Sequence, residues 1–470
     1  MPWTREISAF AAPVAVTLFG LAAVLPTLSS GLWGPEEPFL NGDLNGGWWL
    51  WWAMSEHWRG GDPWSLVAWP EGIDSIAPWF PNPLQMGLVG LFGGPSALGW
   101  NLVQLTHVLL LGLSTVVLAR VAGARPLMAA CAGALVASSP VLLHEVSGGR
   151  PDDLIVWPGV LALAALWRGG RRWAVVAGLL AALQGLGYAW HGVALILVGL
   201  PLIRRPRDAA LAAGVGLLVI SPYLMWLREG MASVPVDLPP DGYKAMPLAG
   251  FWASDLPGRF LVHPLLLPAA LLGVRGGRRF LAAGLIGVVL ALGPEITWSP
   301  GGDGVAGPWA WVAWVIPPAA RMHHPIREVM VALPLLATAL ALGLARLRHG
   351  KWVAIALLVS ALFMARKLDG AAAYGMASGP APFSFDFEGP AVDLCGVDHA
   401  TALGFQTVHG QALVEGLDTY RRHPVDLADL PEGVRVVVVF DRLGDCWTQG
   451  LEDGVYSAES FQVPGESGGP

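Results

Sequence analysis

Three groups of residues have the types and spacing to do chemistry. The first is Arg321-Met322-His323-His324-Pro325-Ile326-Arg327. Pro325 suits the start of a helix, whose N-terminal N–H groups favour an anion. His323 and Arg327 are four apart and share a face if that helix begins early enough. A phosphate or diphosphate headgroup is the natural partner of Arg321, His323, His324 and Arg327, with Arg supplying bidentate bonds. Anchoring to ordinary membrane-lipid phosphates is the plainer alternative. Adjacent histidines do not share a helix face, which argues against zinc. The second group is His144-Glu145-Val146-Ser147-Gly148-Gly149-Arg150-Pro151-Asp152-Asp153. Asp152 and Asp153 after Pro151 suit the first turn of a helix, where acids offset the dipole. Arg150 could pair with them, with Glu145 or with a lipid phosphate. The third is Asp43, in a turn-rich run just before Trp48-Trp49-Leu50-Trp51-Trp52. It reads as a helix N-cap, or as a general base toward a lipid-borne substrate. The two readings are compatible.

The elements that must hold these groups are membrane helices. Of 470 residues, 54% are hydrophobic and 13% charged, with a mean hydropathy of +0.54. Soluble domains carry roughly 25% charged residues. Apolar stretches of spanning length recur along much of the chain. This excludes a nucleic-acid binder, a disordered scaffold and a disulfide-rich secreted domain. The chain reads as an all-α polytopic membrane protein with about eleven spans, near 8–30, 97–119, 126–143, 154–167, 173–188, 190–203, 208–227, 260–274, 280–296, 328–345 and 352–366. The first apolar run is long enough to span, which favours an uncleaved helix over a signal peptide.

Charge sets the orientation. With a cytoplasmic N-terminus, Arg120/Arg125, Arg168/Arg171/Arg172, Arg204/Arg205/Arg207, Arg275/Arg278/Arg279 and Arg346/Arg348/Lys351 all fall in cytoplasmic loops, against only Glu6 and Asp208. Positive residues stay inside in short loops, so most of the 35 acids lie outside and the C-terminus is exterior. Apart from His107, for which a helix–helix hydrogen bond is expected, the spans are nearly free of ionisable groups away from their ends.

Residues 1–366 form the transmembrane domain, including the first exterior loop, 31–96. In it, residues 44–59 read as a helix lying along the membrane surface, with Trp51, Met54 and Trp58 on one face. Residues 367–470 read as a small α/β exterior domain whose end is disordered. Val434–Phe440 is expected to be a buried strand, and a Cys395–Cys446 disulfide is open to an exterior tail. Cys131, inside a span, is expected to be inert. His57, Trp190 and His191 are candidates to line an acceptor cavity, the last two at a hairpin between spans.

Gly42-Asp43, the Trp-rich helix, Gly61-Asp62-Pro63, Trp69-Pro70-Glu71-Gly72 and Pro81-Asn82-Pro83 resemble the first exterior loop of bacterial membrane glycosyltransferases of the GT-C superfamily. The resemblance continues through Gly93-Gly94-Pro95, Asn101 and Ala137-Ser138-Ser139-Pro140, and returns at Arg321–Arg327. In the tail, Gln406-Thr407-Val408-His409-Gly410-Gln411 and Gly416 are similar to some multi-spanning members. It implies an inverting transferase of the inner membrane that uses a polyprenyl-phosphate sugar and an exterior glycolipid, polysaccharide or protein acceptor. Asp43 matches the acceptor-activating acid, and Asp152 and Asp153 stand where the family places further acids. Asp43 is followed by Leu44 and no Asp-x-Asp pair occurs, so a divalent cation, Mg or Mn, stays open as a cofactor. A lipid-linked-sugar flippase or secondary transporter, and a non-catalytic assembly protein, are the alternatives. The transferase reading expects Asp43, Arg150–Asp153 and Arg321–Arg327 to converge on one exterior cavity.

Overall fold

The computed structural model describes residues 11, 13–22, 42–63, 90, 93–94, 96–147, 150–232, 266–298, 304–315, 325–369, 391–393, 436–439 and 454–457. The chain divides into two units. One comprises Met1–Trp33, Pro81–Leu84 and Leu98–Gly375; the other Gly34–Phe80, Gln85–Ala97 and Met376–Pro470.

The elements in chain order are α1 (Pro13–Ala22), α2 (Gly42–Trp58), α3 (Ala97–Val121), α4 (Pro126–Ala137), α5 (Pro140–Ser147), α6 (Trp157–Arg168), α7 (Arg171–Gly187), α8 (Ala189–Gly199) and α9 (Pro206–Ala232). There follow α10 (Leu266–Ala270), α11 (Arg278–Ala291), β1 (Glu295–Thr297), β2 (Gly304–Ala306), α12 (Pro308–Val315), α13 (Val329–Leu344), α14 (Gly350–Asp369), β3 (Ala391–Asp393), β4 (Val436–Val439) and β5 (Gly454–Ser457). Among the described residues four helical stretches are long and apolar enough to cross a membrane: Gly99–Val121, Pro126–Leu143, Pro206–Trp226 and Pro325–Leu344. Shorter apolar helices cover Pro13–Ala22, Ala189–Leu202, Leu266–Arg275 and Gly350–Ser360.

In the first unit α13 is the central helix. It packs against α4, α10 and α11, and all but one of its residues are buried, as befits a helix apolar on every side. The expected span 126–143 breaks at Ser138–Ser139. Pro140 lacks an N–H and disfavours helical geometry at the preceding residue, and the Ser138 hydroxyl donates back to the Ala134 carbonyl at 2.8 Å. Small residues set how closely helices approach. A Cβ on Gly133 of α4 would meet the Gly112 carbonyl of α3 at 2.5 Å. At the other extreme α9 leaves Leu217, Leu218 and Met225 exposed, an apolar face suited to lipid.

Helix alternation sends the basic loops to one end. There Arg168 lies over the Trp173 ring at 4.3 Å and Arg204 over Trp167 at 5.0 Å. Asp208, one of two acids expected on that side, accepts the Gly170 N–H at 2.7 Å. β1 and β2 pair antiparallel and lead into α12, whose Trp309 is buried while Trp311 and Trp314 are exposed.

In the second unit α2 forms where the surface helix was expected, but Trp48, Trp49 and Trp51 are buried, and the Trp51 indole donates to the Gly93 carbonyl at 2.8 Å. The Trp run is packing material here, with Trp58 alone of these four exposed. β4 falls inside the expected strand and is central in the order β3-β4-β5, parallel to β3 and antiparallel to β5.

Candidate functional site

The end of the first unit away from the basic loops holds a buried cluster of charge. Four short segments build it: α5, the turn 150–156, the α7–α8 junction, and the 3-10 turn Pro325–Glu328 that opens α13. α5 carries Glu145, and the Arg150 N–H returns to the Glu145 carbonyl at 3.1 Å. Residues 151–156 form turns, and α6 begins only at Trp157. Asp152 and Asp153 therefore do not occupy the first turn of a helix, as Pro151 had suggested. Pro158 takes the early position instead, at N1/N2.

Gln184 fixes that turn against α7. Its side-chain amide donates to the carbonyls of Ile155 (2.6 Å) and Tyr188 (3.2 Å) and accepts the Gly159 N–H at 3.1 Å. A Cβ on Gly159 would force the Leu195 side chain to shift. α7 ends at Gly187 and α8 starts at Ala189, so the hairpin reverses at Tyr188 and places Tyr188 and His191 beside Asp153.

Arg327 Nε lies 3.1 Å from Asp153 Oδ2 and 3.7 Å from Glu145 Oε1, and Arg150 pairs with Glu145 Oε2 at 3.2 Å. The Arg327 side chain is 12% exposed, Asp153 1% and Glu145 4%. Neither Asp153 oxygen has a well-aligned hydrogen-bond donor. Burial pushes the Asp153 carboxyl well above the usual carboxylate range, against the pull of Arg327 and with Asp152 and Glu145 adding to the rise. A buried ionised acid is costly without donors. The Tyr188 hydroxyl interacts with Arg327, and its ring meets that of His191 at a 54° tilt with centroids 4.6 Å apart.

His191 is fully buried and uses both ring nitrogens: Nε2 lies 2.9 Å from the Asp153 carbonyl and Nδ1 3.2 Å from Glu328 Oε1. A carbonyl only accepts, so Nε2 carries a hydrogen.

Of the residues singled out from sequence, the fold brings Arg150, Asp153 and Arg327 together, with Asp152 half-buried next to them. Trp190 is half-buried against the hydrophobic core. His57 is exposed at the end of α2, 5.9 Å ring to ring from Trp58. Asp43 is the second residue of α2, in the second unit, and its carboxylate lies outside the described residues, as do Arg321, His323, His324, Cys395 and Cys446. Cys131 is buried and free, and His107 Nδ1 accepts from the Trp157 indole at 3.2 Å, joining α3 to α6 as expected. Sequence reading missed Gln184, Tyr188 and Glu328. Gln184 had a signal, being the one side-chain amide in α7. Glu328 drew no reading of its own at the start of the expected span 328–345.

Among the described residues no three His, Cys, Asp or Glu side chains converge as a divalent cation needs. Glu145 and Asp153 face guanidiniums instead, so this acidic pair does not fit Mg or Mn.

The fold has likenesses among solved structures. Two solved structures carry the likeness. One is the apo oligosaccharyltransferase of the archaeon Archaeoglobus fulgidus, with 13% identity and a TM-score of 0.53 over 89% of this chain and 66% of that one. The other is the mycobacterial arabinofuranosyltransferase AftD, with 15% identity and a TM-score of 0.57 over 93% of this chain and 35% of that one. The chain thus spans just under two thirds of the first and about a third of the second. At such identities the likeness is one of fold. Neither a protein-family model nor a curated protein matches the sequence.

Proposed function

We propose that the chain is an inverting glycosyltransferase of a bacterial inner membrane, moving a sugar from a polyprenyl-phosphate donor to an exterior glycan, lipid or protein acceptor. The observation that carries this reading is the buried Arg327–Asp153–Glu145–Arg150 cluster, set at the helix ends opposite the basic loops. Fold likeness supports the class, and the argument for chemistry rests on the site.

In the proposed step the acceptor hydroxyl oxygen attacks the anomeric carbon and the bond to the donor phosphate oxygen breaks. The hydroxyl proton passes to the Asp43 carboxylate, and the polyprenyl phosphate leaves with the bonding electrons. Charge develops on that leaving phosphate, and guanidinium groups at its position stabilise it most when water is excluded. Arg150 and Arg327 take this role, joined by Arg321, His323 and His324 from the same chain segment. Asp153 and Glu145 hold the Arg forks in place, and the half-buried Asp152 is the further acid proposed for the acceptor.

The test uses the protein in lipid nanodiscs with a panel of polyprenyl-phosphate sugars and acceptors, following donor consumption by mass spectrometry. Wild type should consume one donor, and Asp43→Asn should bind it but lose roughly 10²-fold or more in turnover, the usual share of a general base. Unchanged turnover in the variant would move the base to Asp152 or Asp153. Buried charge within a membrane domain is also a mark of transporters, so tight donor binding without turnover would favour a flippase.

A further inference from the structure

We propose that two paired loops at the basic end of the first unit bind the phosphate headgroup of an anionic membrane lipid. The inference is independent of the sugar donor and of Asp43, and needs only the membrane location. One loop joins α6 to α7 through Gly169 and Gly170, and the other joins the 3-10 turn Leu200–Leu202 to α9. Gly169 and Gly170 sit at φ 74° and 96°, values that favour glycine, and the turn they make meets the second loop. The Gly170 N–H donates to Asp208 Oδ2 at 2.7 Å, and a Cβ on Gly169 would lie 3.2 Å from Arg205 Nη1. The result is one patch with six exposed arginines: Arg168, Arg171, Arg172, Arg204, Arg205 and Arg207. Asp208 is the one acid from Trp157 to Trp226. It is 17% exposed, 3.8 Å from Arg205, and turned into the joint between the loops.

Two of the guanidiniums are held in place by rings, Arg168 over Trp173 and Arg204 over Trp167. Stacking uses the flat face of a guanidinium and leaves its edge N–H groups for a bidentate phosphate. Retention of positive loops on one side explains the sign of this charge, but not the stacking or the meeting of two loops. The surface next to the patch separates a lipid from a soluble anion. On α7, Arg172, Val176 and Leu179 follow i, i+4, i+7 spacing and all three are exposed. On α9, Arg207, Gly214 and Leu218 follow i, i+7, i+11 spacing and are exposed too. Each face starts with a cation and continues as apolar surface, and Leu218 is 75% exposed. α7 and α9 pack on each other, so the two faces rise from the same patch. A lipid with its phosphate on the arginines would lay its acyl chains along them.

The experiment is native mass spectrometry of the full chain in detergent, titrated with phosphatidylglycerol or phosphatidylcholine of matched acyl chains. Wild type should retain phosphatidylglycerol about 30-fold more tightly than phosphatidylcholine. Arg168→Gln with Arg204→Gln should remove most of that preference, at about fivefold for each cation. Loss of positive charge can disturb insertion, so a second pair, Arg168→Lys with Arg204→Lys, keeps the charge. That pair loses the flat stack and the fork and should bind phosphatidylglycerol about 3-fold more weakly. Arg348→Gln removes an exposed charge from another basic loop, and screening should keep its effect within about 2-fold. Glycerol phosphate at millimolar concentration lacks acyl chains and should leave the lipid bound. Equal retention of the two lipids by wild type, wild-type binding by either double variant, or an equal loss in Arg348→Gln would overturn the site. Displacement by glycerol phosphate would make it a free-phosphate site and overturn the lipid assignment.

Discussion

Replacing Arg327 by Met removes a cation that faces both Asp153 and Glu145. Arg327 Nε is 3.1 Å from one carboxylate and 3.7 Å from the other, and the two acids are 1% and 4% exposed. Water cannot take the place of the guanidinium there. Taking one partner from a buried ion pair costs about 3–5 kcal/mol, because a buried charge is left behind. Arg150 still neutralises Glu145 at 3.2 Å, so the charge left bare is that of Asp153, and the lower end, about 3 kcal/mol, is the expected loss at neutral pH. The sign with pH follows from linkage. Asp153 already has a raised folded value, chiefly from burial, and losing Arg327 raises it further. A raised carboxyl contributes stability that is full below the unfolded value of about 3.9 and is lost as pH rises through the folded value. The deficit of Arg327→Met against wild type should therefore shrink as pH falls toward that range. Asp153→Asn in the same background removes the bare charge and should recover about 1–2 kcal/mol of the loss. The assay is equilibrium denaturation in detergent, checked for reversibility. A loss below about 1 kcal/mol at neutral pH, the worth of an exposed pair, or a deficit that grows in acid, would refute the reasoning.

Two further outcomes test how the site is positioned. Gln184→Leu leaves the Gly159 N–H and the Ile155 and Tyr188 carbonyls without their side-chain partner, so about 2–4 kcal/mol should be lost in the same denaturation assay, a small multiple of one buried bond. Gly133→Val places atoms against the Gly112 carbonyl and should cost about 1–3 kcal/mol or more through overpacking. Gly214→Ala, with open space at its Cβ, should instead be neutral or stabilise α9 by about 0.5–1 kcal/mol.

The sequence by itself determined the broad class and the alternation of the chain. Low charge, spanning apolar runs and basic loops of one parity follow from the cost of bare backbone and charge in hydrocarbon, a property of composition along the chain. It also placed α2 and β4, since a Trp-rich run after Gly-Asp and a Val run follow local periodicity. Arg150, Asp153 and Arg327 were recognisable as charges beside membrane helices. Only the tertiary structure decided what those charges do. Arg327 and Asp153 are far apart in sequence, and nothing local says that a 3-10 turn will bring one to the other. His191 looked like a cavity lining until the fold buried it between the Asp153 carbonyl and Glu328. The Trp run could be read as anchor or as core, because an aromatic ring suits either place. Which one it takes is settled by neighbours: Gly93 offers its carbonyl to Trp51, while Trp311 and Trp314 on α12 stay exposed. Burial is a relation between segments, and a sequence lists segments one at a time.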